Sequence, residues 1–150
     1  MPDGLEMKAK PKLKESDVDR YRANYMSEMD GMALYRALAA AEKDEKGAEI
    51  FEKLAHAEER HAHRWAGLLR AAGAAVPQYH PSARVRMVKL LASVLRTQKV
   101  LPIVTSFESK DERGYLDQPE AAGLPAEERA HARTLRAMEP EAVSENTIMG

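Results

Sequence analysis

Cysteine is absent from the 150 residues. That excludes disulfides, thiolate zinc sites and iron–sulfur clusters held by this chain, while leaving the compartment open. Long hydrophobic runs are absent too. No stretch approaches the roughly 18 apolar residues that a membrane-spanning helix needs. Aromatic residues make up only 5% of the chain and β-branched residues are sparse, so there is little from which to build strands. Charge of one sign is also lacking. Lys and Arg number 23 against 24 Asp and Glu, a net of −1 without a basic block, which speaks against a nucleic-acid partner.

What is abundant is Ala, Glu, Arg, Leu and Met, a helical composition in a length that suits one domain. Met1 to Lys14 carries four lysines but no apolar core of a signal peptide, so residues 1–15 read as a flexible arm. A first helix is expected from Ser16, with Ser16 and Asp19 as an approximate capping box, to about Lys43–Asp44. Stepping by three and four residues, its seam runs Val18, Tyr21, Tyr25, Glu28, Met32, Tyr35, Ala39, Glu42. A short polar turn makes the second helix, about Glu45 to Ala72, an antiparallel neighbour. Its seam runs Gly47, Phe51, Leu54, Glu58, His61, Trp65, Leu68, Ala72, and Gly73 follows as a helix-ending glycine.

After a linker with two prolines, Ser82 is placed to cap a basic connecting helix, about Ala83 to Thr97. Pro102 is expected in the first turn of the next helix, whose seam reads Leu101, Val104, Glu108, Asp111, Tyr115. The last helix, about Pro125 to Met138, has the seam Leu124, Glu128, His131, Leu135, Met138. Residues 139–150 read as a tail.

Four seams that should be apolar thus each carry a carboxylate: Glu28, Glu58, Glu108 and Glu128. Two add a histidine three residues later, His61 and His131, close enough around the helix to serve one site. Tyr35 and Tyr115 each follow a seam glutamate by seven residues, so the halves form a weak internal repeat. Buried ionised groups are costly unless something pairs with them. Four carboxylates and two neutral imidazoles balance two divalent cations, and oxygen with nitrogen donors suits iron or manganese, with zinc as a substitute. Bridging carboxylates hold such ions about 3.5–4 Å apart. The competing reading is a metal-free bundle with buried ion pairs. Asp111 and Glu112, near Glu108, are candidates for an extra ligand or an outer hydrogen-bond acceptor, as Tyr35 and Tyr115 are for outer donors. His56, His63 and His80, with Glu59 and Glu127, are expected on solvated faces.

This constellation resembles the ferritin-like di-iron carboxylate proteins over about residues 16–138. Glu28 to Tyr35 and the Glu58/His61 helix look most like rubrerythrins, without the cysteine-rich electron-delivery module. The short first turn, the basic helix before Val100-Leu101-Pro102 and the tail Ser144 to Gly150 are similar to the N-terminal domain of the vacuolar iron transporter family's membrane-bound ferritins. The resemblance implies an all-α ferritin-like four-helix bundle with an extra connecting helix, holding two Fe ions. Glu58/His61 and Glu128/His131 would each hold one, with Glu28 and Glu108 completing or bridging the pair. The implied activity is binding and oxidation of Fe(II) by dioxygen or peroxide; the alternative is a non-catalytic module that senses iron or delivers it to a transporter. A cytoplasmic location and a membrane transporter fused beyond the tail are the corresponding expectations, and the shorter helices of the second half lead to the expectation of a homodimer.

Overall fold

Two 27-residue helices, α1 (Glu15–Ala41) and α2 (Glu45–Ala71), come first among the described residues and pack along their length. The computed structural model describes residues 15–139. The expected arm, apart from its last residue, and the expected tail, apart from its first, lie outside the described residues. A connecting helix, α3 (Ala83–Val94), leads into the second pair, α4 (Thr97–Tyr115) and α5 (Leu124–Ala137), with a short 3-10 turn at Pro119–Ala121 between them. There is no strand among the described residues. The architecture is the all-α ferritin-like bundle with an extra helix: α1 packs on α2, α4 on α5, and α3 lies against α1 and α4.

Local chemistry sets the boundaries. α1 stops at Ala41, earlier than its pattern suggests, because Asp44 turns extended and its carboxylate accepts the Gly47 N–H at 2.9 Å to start α2. Glu42, at the end of the α1 seam, accepts the Asp44 N–H at 3.1 Å and the Thr97 hydroxyl. Gly73, at φ +71°, ends α2 as expected. Ser82 caps α3 by accepting the Val85 N–H. Two further boundaries differ from the sequence pattern. α3 ends at Val94, because Leu95 and Arg96 turn extended and α4 already begins at Thr97. Pro102 therefore lies inside α4, one turn beyond its first. The earlier start is favoured because it buries Thr97, Val100 and Leu101.

Asp30 lies off the α1 seam and anchors the linker. Its carboxylate accepts the Tyr79 hydroxyl at 2.7 Å, the Ser82 N–H at 3.0 Å, the Ser82 hydroxyl and the Arg84 Nε–H at 3.3 Å. Asp30→Ala strands these donors beside a buried position. A loss of about 3 kcal/mol in urea unfolding is expected.

The core has two apolar parts. One gathers Met32, Leu38, Phe51, Leu54, Leu101 and Leu135 with their neighbours. The other gathers Tyr21, Trp65, Leu69, Tyr115, Ala121 and Leu124. Along each of α1, α2, α4 and α5 the seam glutamate falls between a residue of the first cluster and a residue of the second. The fold thus closes an apolar plug on either side of the acidic layer.

Candidate metal centre

Three-four spacing turns Glu28, Glu58, His61, Glu108, Glu128 and His131 inward, and all six are 8% exposed or less. They converge as two overlapping groups. Glu28, Glu58, His61 and Glu128 form one; Glu58, Glu108, Glu128 and His131 form the other. Within each, one donor atom per residue lies within 4.8 Å of all the rest. Glu58 and Glu128 belong to both. Sharing therefore falls to the glutamates of the Glu-x-x-His pairs, while Glu28 and Glu108 each belong to one group.

Gly31 makes room for this layer. A Cβ there would stand 3.2 Å from Glu58 Cδ, so the glycine lets α1 pass close to the Glu58 carboxylate. The His61 Nδ1 faces inward, 3.3 Å from Glu28 Oε2 and 3.4 Å from Glu128 Oε1. His131 Nδ1 lies 3.4 Å from Glu58 Oε1 and 3.6 Å from Glu108 Oε1. The two imidazole rings are nearly parallel, 14° apart.

Outer hydrogen bonds cross between the halves. Tyr35 of α1 donates to Glu108 of α4, and Tyr115 of α4 donates to Glu28 of α1. Each tyrosine serves the glutamate of the other helix, which requires α1 and α4 to run antiparallel. Asp111 and Glu112 do not join either group. Asp111 faces Arg84 at 3.8 Å, and Glu112 pairs with Arg129 at 3.5 Å. His56, His63 and His80 are exposed, and Glu59 pairs with Arg36.

Glu127 is the contact that pattern reading passes over. Although half-exposed, it places Oε2 2.7 Å from His61 Nε2, the ring nitrogen turned away from the cluster. The signal available in the sequence was its place just before Glu128 in the first turn of the last helix. Its solvated side was easy to see, and its reach across to α2 was not.

Electrostatics divides the carboxylates into two kinds. Burial pushes Glu58 well above the usual carboxylate range, and the nearby charge of Glu28 adds to it. Burial, followed by the close approach of Glu108, pushes Glu128 up to about 11. Burial also acts to raise Glu28 and Glu108, but the close approach of Glu58 and His61 to the one, and of Glu128 and His131 to the other, outweighs it and holds both low. Burial acts to lower the histidines; their carboxylate partners win and raise both. The layer is therefore neutral when protonated, with two carboxylates ionised, two carboxyls neutral and two imidazolium ions.

Protons leave part of the site unsatisfied. Both oxygens of Glu128, Glu108 Oε2 and His131 Nδ1 are out of reach of solvent and without a hydrogen-bond partner. Such atoms are costly unless something else occupies the space between them. Oxygen and imidazole donors aimed at two overlapping points fit a pair of divalent cations.

The family model described as Rubrerythrin matches residues 22–139, a span that includes all six groups. No curated protein and no solved structure matches the chain.

Proposed function

Because the chain belongs to the rubrerythrin family, we propose that the buried layer holds two iron ions and that the protein oxidises Fe(II), with dioxygen or peroxide as the acceptor. The observation that carries this reading is the sharing of Glu58 and Glu128 by both four-group sets. Glu28 and His61 would hold one ion and Glu108 and His131 the other, with Glu58 and Glu128 within reach of both. The shared role would thus fall to Glu58 and Glu128 rather than to Glu28 and Glu108. Manganese or zinc suits the same donors.

Bound iron would supply the one-electron chemistry. The chain's own residues set the geometry. Tyr115 and Tyr35 each hold one oxygen of Glu28 and Glu108, fixing the direction of the other. The apolar clusters on either side of the layer limit water. Glu127 holds the His61 ring by its outer nitrogen. Glu127→Gln is expected to weaken binding at the His61 position about 10–100-fold, while the His131 position keeps its affinity. Competition titration with a chromophoric chelator and Co(II) or Zn(II) separates the two.

The test of function is aerobic Fe(II) oxidation by the 150-residue chain, followed at the ferric absorption band, with Glu58→Ala and Glu128→Ala as controls. The expected result is oxidation faster than in buffer that both substitutions abolish. Two Fe(II) bound per chain without faster oxidation selects instead a module that senses iron or delivers it. The reading also includes a homodimer, supported by the shorter second pair, 19 and 14 residues against 27 and 27. It places the chain on the cytoplasmic side of an attached transporter. No helix of the described residues is long and apolar enough to cross a membrane, so such a transporter lies outside them.

A further inference from the structure

α3 has two apolar faces. Val85, Val88 and Ala92 are buried against the bundle. On the other side of the helix Met87, Leu90 and Val94 are 44, 65 and 71% exposed, and Leu95 follows at 44%. Four of the five exposed large hydrophobics among the described residues thus fall within one short stretch; the fifth is Leu116. An exposed apolar stripe on one helix marks a surface that something covers.

The charge along this segment has one sign. Arg86 and Lys89 flank the stripe, Arg96 and Lys99 continue past the corner into α4, and all four are exposed. No acidic residue occurs from Ser82 to Phe107. Acids contributed by neighbouring elements lie to the side. Asp30 and Asp111 are engaged with Arg84, which is turned inward, and Glu42 and Asp44 line a groove of about 690 Å³ that Lys89, Val94, Leu95 and Arg96 also border.

We propose that α3 and the first turn of α4 form a docking face for an anionic lipid surface. A layer of acidic headgroups over hydrocarbon offers both kinds of partner that this face lacks: negative charge for Arg86, Lys89, Arg96 and Lys99, and an apolar boundary for Met87, Leu90 and Val94. A second copy fits worse. In a two-fold interface the same patch meets itself, so the four basic side chains of one copy would be brought towards those of the other. The helix lies on the surface without entering it as a span. Met87 to Val94 covers only about 10 Å along the axis. This inference does not depend on bound iron or on an attached transporter, since it concerns only residues of this chain.

Vesicle flotation tests it, using the full 150-residue chain and vesicles of phosphatidylcholine alone or mixed with an equal part of phosphatidylglycerol. The expected result is flotation with the mixed vesicles only, weakening as salt rises from about 0.05 to about 0.5 M. Lys89→Gln should lower the partition coefficient about fivefold. Leu90→Glu with Val94→Glu should abolish flotation, while Leu116→Glu, equally exposed elsewhere, should leave it unchanged. Circular dichroism and metal content verify that each variant is folded. Flotation that is absent, indifferent to phosphatidylglycerol, or equally sensitive to Leu116→Glu overturns the proposal. So does sedimentation velocity showing a vesicle-free dimer that Leu90→Glu with Val94→Glu dissociates, because the face then belongs to a second copy.

Discussion

Loading the metal-free chain with two divalent ions is expected to raise its melting temperature by roughly 20 °C. An ion present at about a thousand times its dissociation constant stabilises the folded state by about 4 kcal/mol, and two ions by about 8. For a domain of this size each kcal/mol moves the midpoint by about 3 °C. The pH dependence has a defined sign. In the metal-free chain Glu58 and Glu128 are raised by burial, and His61 and His131 by their carboxylate partners. Each of these groups binds its proton more tightly folded than unfolded. Their contribution is full below the unfolded pKa values and falls as pH rises above them, towards about 11 for Glu128. The metal-free midpoint should therefore drop between pH 6 and pH 8. Metal binding expels the same protons, so it strengthens over that interval and the gap between the two forms widens. Differential scanning fluorimetry with and without chelator, at both pH values, measures it. A gap that is absent, or that narrows as pH rises, would sink the two-metal reading.

Metal stoichiometry should fall in two distinct ways when single glutamates are removed. Glu58→Ala and Glu128→Ala each strip an oxygen donor from both groups, so both should take the chain from two ions to nearly none. Glu28→Ala and Glu108→Ala each touch one group, so each should leave about one ion bound. The contrast follows from membership in the overlapping sets and from nothing else in the fold, since all four carboxylates are equally buried. Elemental analysis after gel filtration reads it directly. Equal losses across all four variants would mean that no glutamate is specially shared. Circular dichroism verifies that each variant is folded.

Helical period did most of the work of reading this chain. Glu28, Glu58, Glu108 and Glu128 interrupt apolar seams at three-four spacing, and that alone places them inward on four helices. His61 and His131 follow from the same count. The antiparallel first pair was legible from the brevity of its turn, and Gly73 and Ser82 from their capping chemistry. What was not legible depended on distance across the bundle. Asp30 is off its seam, and its role needs the linker brought back to it through Tyr79 and Ser82. Glu127 shows a solvated side in sequence and a histidine partner only in three dimensions. Asp111 sits at seam spacing, but Arg84 arrives from α3 and draws it aside. Pro102 suggested a helix start because proline favours one, yet burial of Thr97 and Val100 set the start earlier. Which glutamates are shared was also beyond spacing, because it depends on how two helix pairs face each other.

Trp65 is the only tryptophan in the chain. It is fully buried between Tyr21, 5.6 Å away, and Tyr115, 5.8 Å away, and Tyr115 donates its hydroxyl to Glu28. One indole therefore sits a single phenol away from the acidic layer. Its emission is an optical gauge built into the fold: a change of charge at Glu28 reaches the indole through one ring, and occupancy of the layer becomes readable by fluorescence without a label.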